Sequence, residues 1–218
     1  MNRSVSGVGM TSQRTRSRMI ERLREQGIRN ERVLTAIAAV PRHLFVEEAL
    51  ASRAYEDTAL PLGFSQTISQ PYIVAKMIEV LLDGRELGKT LEVGAGCGYQ
   101  AAVLAQLTKE VYAVERIEPL LAKAKLNLRA IQQFRVRLKY ADGQLGLPEA
   151  APFDTIILAA AATSVPNALL QQLALGGRML LPLGTGEQYL LLIEHRAEGY
   201  VETRLECVRF VPLLSGLE

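Results

Sequence analysis

The sequence predicts an α/β protein: a mostly parallel sheet with helices on both faces, a helical cap before it and an antiparallel C-terminal end. Three observations carry that reading. Between residues 71 and 183, short apolar runs alternate with stretches of helical periodicity. One such run, Leu91 to Val93, passes through Gly94, Gly96 and Gly98 into a helix, which makes a ligand-binding turn at the carboxyl end of a strand. Two β-rich segments, Tyr189 to His195 and Val201 to Val211, are joined by a link around Ala197-Glu198-Gly199 that is too short for a crossover. They must therefore be antiparallel neighbours.

Taken in order, residues 1–12 are rich in Ser and Gly and read as a disordered leader, with Met10 as an alternative start. A helix is expected from Thr15 to Gln26, where Met19, Ile20 and Leu23 share a face and Gly27 is the stop. Asn30 caps a second helix that ends before Pro41, and a third, short helix is expected over Phe45 to Ser52. The stretch Tyr55 to Pro71 has neither period and reads as a functional loop carrying Ser65, Gln66, Thr67, Ser69 and Gln70. Pro71 opens a helix with Ile73, Val74, Met77, Ile78, Leu81 and Leu82 on its apolar face.

Helices are then expected from Tyr99 to Leu107 and from Pro119 to Ile131, with strands closing at Glu115 and spanning Val136 to Tyr140. Phe153 to Leu158 is the near-continuous apolar run of a buried parallel strand. A small-residue loop, Ala159 to Ser164, leads into a helix from Pro166 that Gly176-Gly177 ends, before a strand from Met179 to Leu183. The expected division is a leader (1–12) and one domain (13–218), with a cap and substrate loop over 13–70 and a cofactor-binding core over 71–218.

Spacing narrows the ligand. The glycines read G-x-G-x-G, with Tyr99 where a dinucleotide fingerprint has its third glycine, and no Gly-Lys-Ser/Thr of a P-loop follows. Glu92 precedes the turn, and Glu115 closes the next strand 21 residues after Gly94, where its carboxylate can accept from both hydroxyls of a ribose. Asp142-Gly143 follows the third strand, where it can meet an adenine edge. This series resembles the class I S-adenosyl-L-methionine-dependent methyltransferases, whose fold is Rossmann-like.

Composition excludes other classes. With 49% hydrophobic and 22% charged residues the chain is a globular protein, and no apolar run reaches the roughly 18 residues that span a bilayer. No secretory signal is visible, so a cytoplasmic location is the expectation. Cys97 and Cys207 show no metal-ligand spacing and read as free thiols. Cys97 lies by a helix N-terminus, which can lower a thiol pKa, but its small size in a tight loop is the simpler reading. A net charge of +2 does not argue for nucleic acid, and Arg14, Arg16, Arg18, Arg22 and Arg24 read as the solvated face of a helix.

Four segments carry a closer resemblance: A-L-P-L-G-F-S-Q-T-I-S-Q-P-Y (59–72), L-E-V-G-A-G-C-G-Y-Q (91–100), A-P-F-D-T-I-I-L-A-A-A (151–161) and V-R-F-V-P-L (208–213). They are similar to the protein-L-isoaspartate (D-aspartate) O-methyltransferases, over a span from about Ile20 to the C-terminus. The chain departs from the family at Cys97, often Ser, and around Ala162, where Pro is often found. The resemblance implies methylation of the α-carboxylate of L-isoaspartyl residues in damaged proteins and peptides, with repair to aspartate through a succinimide. It implies an active-site role for Ser69 and cofactor contacts from Thr67, Ile68, Ser69, Gln70, Gly94, Gly96, Gly98, Glu115, Asp142 and Gly143. It also implies isoaspartyl proteins and peptides as partners, no nucleic acid or membrane, and a monomer.

Each residue has a plainer alternative. Ser69 can be the N-cap of the helix at Pro71, Glu92 can bind the methionine end of the cofactor or satisfy loop amides, and Tyr72, Tyr99, His43 and His195 can be packing. Two rival functions share the pocket: methylation of RNA or a small metabolite, and non-catalytic recognition of carboxylates. Against amino-group methylation, Ala-Ala-Ala follows the Phe153 strand in place of an Asn-Pro-Pro-Tyr-like tetrapeptide.

Overall fold

The computed structural model describes residue 7 and residues 9–218, so most of the expected leader lies outside the described residues; Gly9–Thr11 form one 3-10 turn. Helix α1 (Gln13–Glu25) buries Met19, Ile20 and Leu23, and α2 (Glu31–Ala39) is capped by Asn30, whose side chain accepts from the Arg32 and Val33 amides. The third helix expected over Phe45 to Ser52 is instead two 3-10 segments, Arg42–Leu44 and Glu48–Arg53.

The segment expected to lack structure holds a small antiparallel hairpin, β1 (Leu60–Gly63) with β2 (Gln66–Ile68). Leu60, Leu62 and Ile68 face the core, but strands this short leave almost no periodicity to read. Phe64 and Ser65 turn the hairpin with φ of 53° and 54°, the left-handed pair that tight hairpins use. Helix α3 (Pro71–Leu82) follows as expected.

The main sheet contains β3 (Thr90–Val93), β4 (Val111–Glu115), β5 (Val136–Tyr140), β6 (Phe153–Leu158), β7 (Leu173–Leu183), β8 (Gln188–Arg196) and β9 (Gly199–Val208), in the order β5-β4-β3-β6-β7-β8-β9. The strands β5, β4, β3, β6 and β7 are parallel, and the β7–β8 and β8–β9 pairs are antiparallel. Helices α4 (Tyr99–Leu107), α5 (Glu118–Ala130) and α6 (Asn167–Leu170) complete the crossovers. Because β4 lies on one side of β3 and β6 on the other, the order reverses at the carboxyl end of β3. That switch point is where an open α/β sheet leaves a crevice.

One expectation fails at β7. The helix from Pro166 is a single turn, and the strand begins at Leu173, running through Gly176-Gly177. The glycines sit where the β6–β7 register shifts between Phe153 and Thr155, so they mark a bulge and not a helix stop. A Cβ on Gly177 would stand 2.7 Å from the Ala174 carbonyl oxygen.

Residue alternation on β3 positions the site. Leu91 and Val93 pack into the apolar layer that includes Val114, Ile156 and Leu158. Glu92 therefore points to the opposite face, the side of α4 and the N-terminal cap. The apolar cluster on that face runs without a break from Met19 of α1 to Leu104 of α4.

Candidate active site

The carboxyl ends of β3, β4 and β6 open into a cleft of about 820 Å³, counting the solvent at its mouth. Its walls are the glycine turn, Thr67 to Ser69 from the hairpin loop, Glu115 to Ile117, Gly143, Ala159-Ala160 and the C-terminal stretch Val211 to Leu214.

The turn is built by backbone. Gly94, Gly96 and Gly98 have φ of 89°, 53° and 85°, values that side chains oppose. The Gly94 and Ala95 amides donate to the Val114 carbonyl oxygen, which fastens the turn to β4. Glu115, 6% exposed, accepts the Gly96 amide at 2.8 Å on Oε2 and the Ile117 amide at 2.9 Å on Oε1. Two backbone donors thus fix the carboxylate at the strand end while each oxygen keeps a second lone pair for a ligand.

Glu92 differs in kind. It is 0% exposed, and both its oxygens and the nearby Gln100 Nε2 lack hydrogen-bond partners. Burial pushes its carboxyl well above the usual carboxylate range, against the pull of the Gln100 side chain and with help from the charge of Glu115. Such an orphaned acid beside the turn suits a cationic group delivered by a ligand.

Other expected residues are distributed unevenly. Thr67, Ile68, Ser69, Glu92, Gly94, Gly96, Glu115 and Gly143 line the one cleft, while Gln70 lines an adjoining cleft between the hairpin loop and the end of β9. Gly98 lines neither; it is the N-cap of α4, and a Cβ there would meet Ala124 Cβ at 3.2 Å. Asp142 also lies outside the lining, with its oxygens accepting the Gln144 amide at 2.9 Å and the Gly216 amide at 2.6 Å. Its neighbour Gly143 lines the cleft and packs so closely on β3 that a Cβ would stand 2.5 Å from Val93 Cγ1.

The reading of Ser69 as a helix cap does not hold. The N-cap of α3 is Gln70, whose side chain makes no capping bond, and Ser69 lines both clefts where they meet. Cys97 is buried, and burial pushes its thiol up to about 11, opposite to activation by a helix end. His43 bonds Tyr55 and His195 bonds the Leu173 carbonyl, both away from the cleft. The N-terminal arginines are more than a solvated face, since Arg16 donates to Ala38 and Arg22 to Tyr55, each at a backbone oxygen. Sequence reasoning missed Leu62 and the stretch Val211 to Leu214 as parts of the wall; only Pro212 marked a break after β9.

Among the described residues no His/Cys/Asp/Glu cluster could hold a metal ion, and no helix is long and apolar enough to cross a membrane.

A family model described as protein-L-isoaspartate(D-aspartate) O-methyltransferase matches residues 14–218. The chain belongs to that family. It is 78% identical over 213 residues to the protein-L-isoaspartate O-methyltransferase of Dechloromonas aromatica (strain RCB), covering 97% of this chain and 99% of that one. Identity to the Methylobacillus flagellatus enzyme of the same name is 60% over 217 residues, or 98% and 97% of the two chains. A solved protein-L-isoaspartate O-methyltransferase superposes with a TM-score of 0.84 at 27% identity, over 93% of this chain and 67% of that one. A Plasmodium falciparum structure described as a putative member in complex with S-adenosyl-L-homocysteine shares the fold, with a TM-score of 0.79 at 23% identity over 90% and 96%. The chain is accordingly an S-adenosyl-L-methionine-dependent methyltransferase of isoaspartyl residues in protein repair.

The residues present fit that cofactor. The partnerless Glu92 carboxyl meets the need of an ammonium, Glu115 keeps lone pairs for hydroxyls, and Gly143 brings bare backbone to the cleft wall.

Proposed function

We propose that residues 13–218 act as one domain in which Glu115 holds the cofactor's ribose, the turn Gly94 to Gly96 lies along its methionine part, and Glu92 takes its ammonium. Gly143 lines the adenine end, and Asp142 fixes that wall by holding Gly216. Thr67, Ile68 and Gln70 shape the loop around Ser69, which hydrogen-bonds the α-carboxylate of the isoaspartyl residue. S-adenosyl-L-methionine, when bound, supplies the methyl group as a good electrophile.

The protein's part in the reaction is alignment. A carboxylate is already a nucleophile at neutral pH, so no general base is required, and neither histidine reaches the cleft. The Ser69 hydroxyl donates to one carboxylate oxygen and leaves the other aimed at the cofactor cleft, a proximity effect. The apolar wall of Leu62, Val211 and Leu213 excludes water from charges that vanish during the transfer. The methyl ester then closes to a succinimide outside the protein's control.

The observation that supports this reading is the place of Ser69 at the junction of the two clefts, with the cofactor elements on one side and an open groove on the other. We read the working unit as a monomer, cytoplasmic, without nucleic acid as partner; Arg16, Arg22 and Arg24 of the cap bond within the chain. Tritium-methyl transfer to an isoaspartyl peptide, beside its aspartyl twin, tests the proposal. Methylation of the isoaspartyl form alone is the expected result, and equal labelling of both would overturn it.

A further inference from the structure

Arg42 is completely buried and heads the largest fully buried side chains. Its Nε donates to the Ala54 carbonyl oxygen at 2.8 Å and its Nη2 to the Ser69 carbonyl oxygen at 2.7 Å. Those two carbonyls are the two stems of the segment that carries the β1–β2 hairpin. The guanidinium also lies over the ring of Tyr99, 4.7 Å from its centroid, and Tyr99 is the first residue after the glycine turn.

The arrangement is poor as a stabilising device. Nη1 has no hydrogen-bond partner, nor does the Tyr99 hydroxyl, and no carboxylate among the described residues forms an ion pair with Arg42. A buried charge that feels Asp57 only at a distance, with no carboxylate in contact, is costly, and an apolar side chain of similar volume would fill the space more favourably. What an apolar side chain cannot do is hold two carbonyls at once in a planar fork while resting on an aromatic face.

We propose that Arg42 is a positioning residue for methyl transfer: one guanidinium closes the base of the hairpin loop and sets Ser69 at a fixed height above the cofactor turn. The inference rests on the role given to Ser69 above. Arg42 touches neither ligand. It acts through the Ser69 backbone on one wall and through Tyr99 on the other, so its loss lets the walls shift relative to each other. A displacement of about 1 Å at a reacting group can cost on the order of a hundredfold in rate.

The test compares Arg42→Lys, Arg42→Ala, Ser69→Ala and Leu23→Ala, the last a distant core variant that loses stability without touching the site. Turnover and KM on an isoaspartyl peptide, S-adenosyl-L-homocysteine affinity by calorimetry and melting temperature are measured on each. Arg42→Lys is expected to lower kcat by about ten- to a hundredfold, with affinity changed less than about threefold and a far smaller kcat effect in Leu23→Ala. Guanidinium ion, added below denaturing concentration, should restore part of the turnover of Arg42→Ala. Full turnover in Arg42→Lys, or a loss no larger than in Leu23→Ala at equal melting temperature, overturns the proposal. If Arg42→Ala does not fold, Arg42→Lys still decides. Unchanged turnover in Ser69→Ala refutes the role of Ser69 itself, whereas a loss there with none in Arg42→Lys refutes only the clamp.

Discussion

The Gly96 amide donates to the Glu115 carboxylate at 2.8 Å, so the residue proposed to hold the cofactor's ribose also holds the turn proposed to lie along its methionine part. Two ends of one ligand site are coupled through a single side chain. Glu115→Ala should weaken S-adenosyl-L-homocysteine binding by about 1.5–3 kcal/mol, the range for hydrogen bonds to a charged group. Glu115→Gln, which keeps an acceptor but swaps the other oxygen for a donor facing an amide, should recover only part of it. Titration calorimetry on both variants measures the effect, and unchanged affinity with the fold intact would refute the ribose assignment.

Ser69 separates rate from stability. Since Gln70 and not Ser69 caps α3, Ser69→Ala should leave the melting temperature nearly unchanged. Turnover on an isoaspartyl peptide should fall about ten- to a thousandfold, as for other single donors in closed sites. A drop in melting temperature with turnover intact would be the opposite pattern and would remove Ser69 from the reaction.

Glu92 makes stability depend on pH in an unusual direction. Burial holds its carboxyl well above the ordinary carboxylate value, so between that value and its raised folded value the native state keeps a proton that the unfolded state has lost. The cofactor-free protein should therefore lose stability from this group as pH rises through that window, the reverse of a salt-bridged carboxylate. Glu92→Gln should be more stable than the parent at neutral pH without cofactor, and its stability should vary less with pH. The same variant should gain less from S-adenosyl-L-methionine. Denaturant melts across pH, with and without cofactor, read both; a parallel pH dependence in the two proteins would contradict the assignment.

Gly143 tests the wall proposed for the adenine. A methyl group there would stand 2.5 Å from Val93 Cγ1, in the strand that carries the site. Overpacking of this kind costs about 1–3 kcal/mol. Gly143→Ala should lower the melting temperature and weaken cofactor binding together, whereas Gly186→Ala, with nothing near its Cβ position, should do neither.

The parallel core was legible because its signals are local. The run at Leu91, the glycines and the acid 21 residues past Gly94 all follow from repeating strand-turn-helix units. The hairpin at Leu60 to Ile68 was not, since a strand of four residues against one of three carries too little alternation to separate from a loop. Gly176-Gly177 misled because glycine serves a helix stop and a bulge equally well, and only the pairing of β7 with β6 decides. Within the site, Glu115 could be placed by spacing, but Asp142 could not be seen to face Gly216 from 74 positions away. The burial of Arg42 likewise depends on Ala54, Ser69 and Tyr99 arriving from three separate segments.

Cys97 sits in the middle of the glycine turn with its thiol raised to about 11. At neutral pH the thiolate, the form that oxidants and alkylating agents attack, is then strongly disfavoured. At 2% exposed, the residue also offers little surface for direct access. An enzyme that mends chemically damaged proteins meets the same damaging surroundings as its substrates, and here the sulfur nearest its own cofactor site is kept chemically silent.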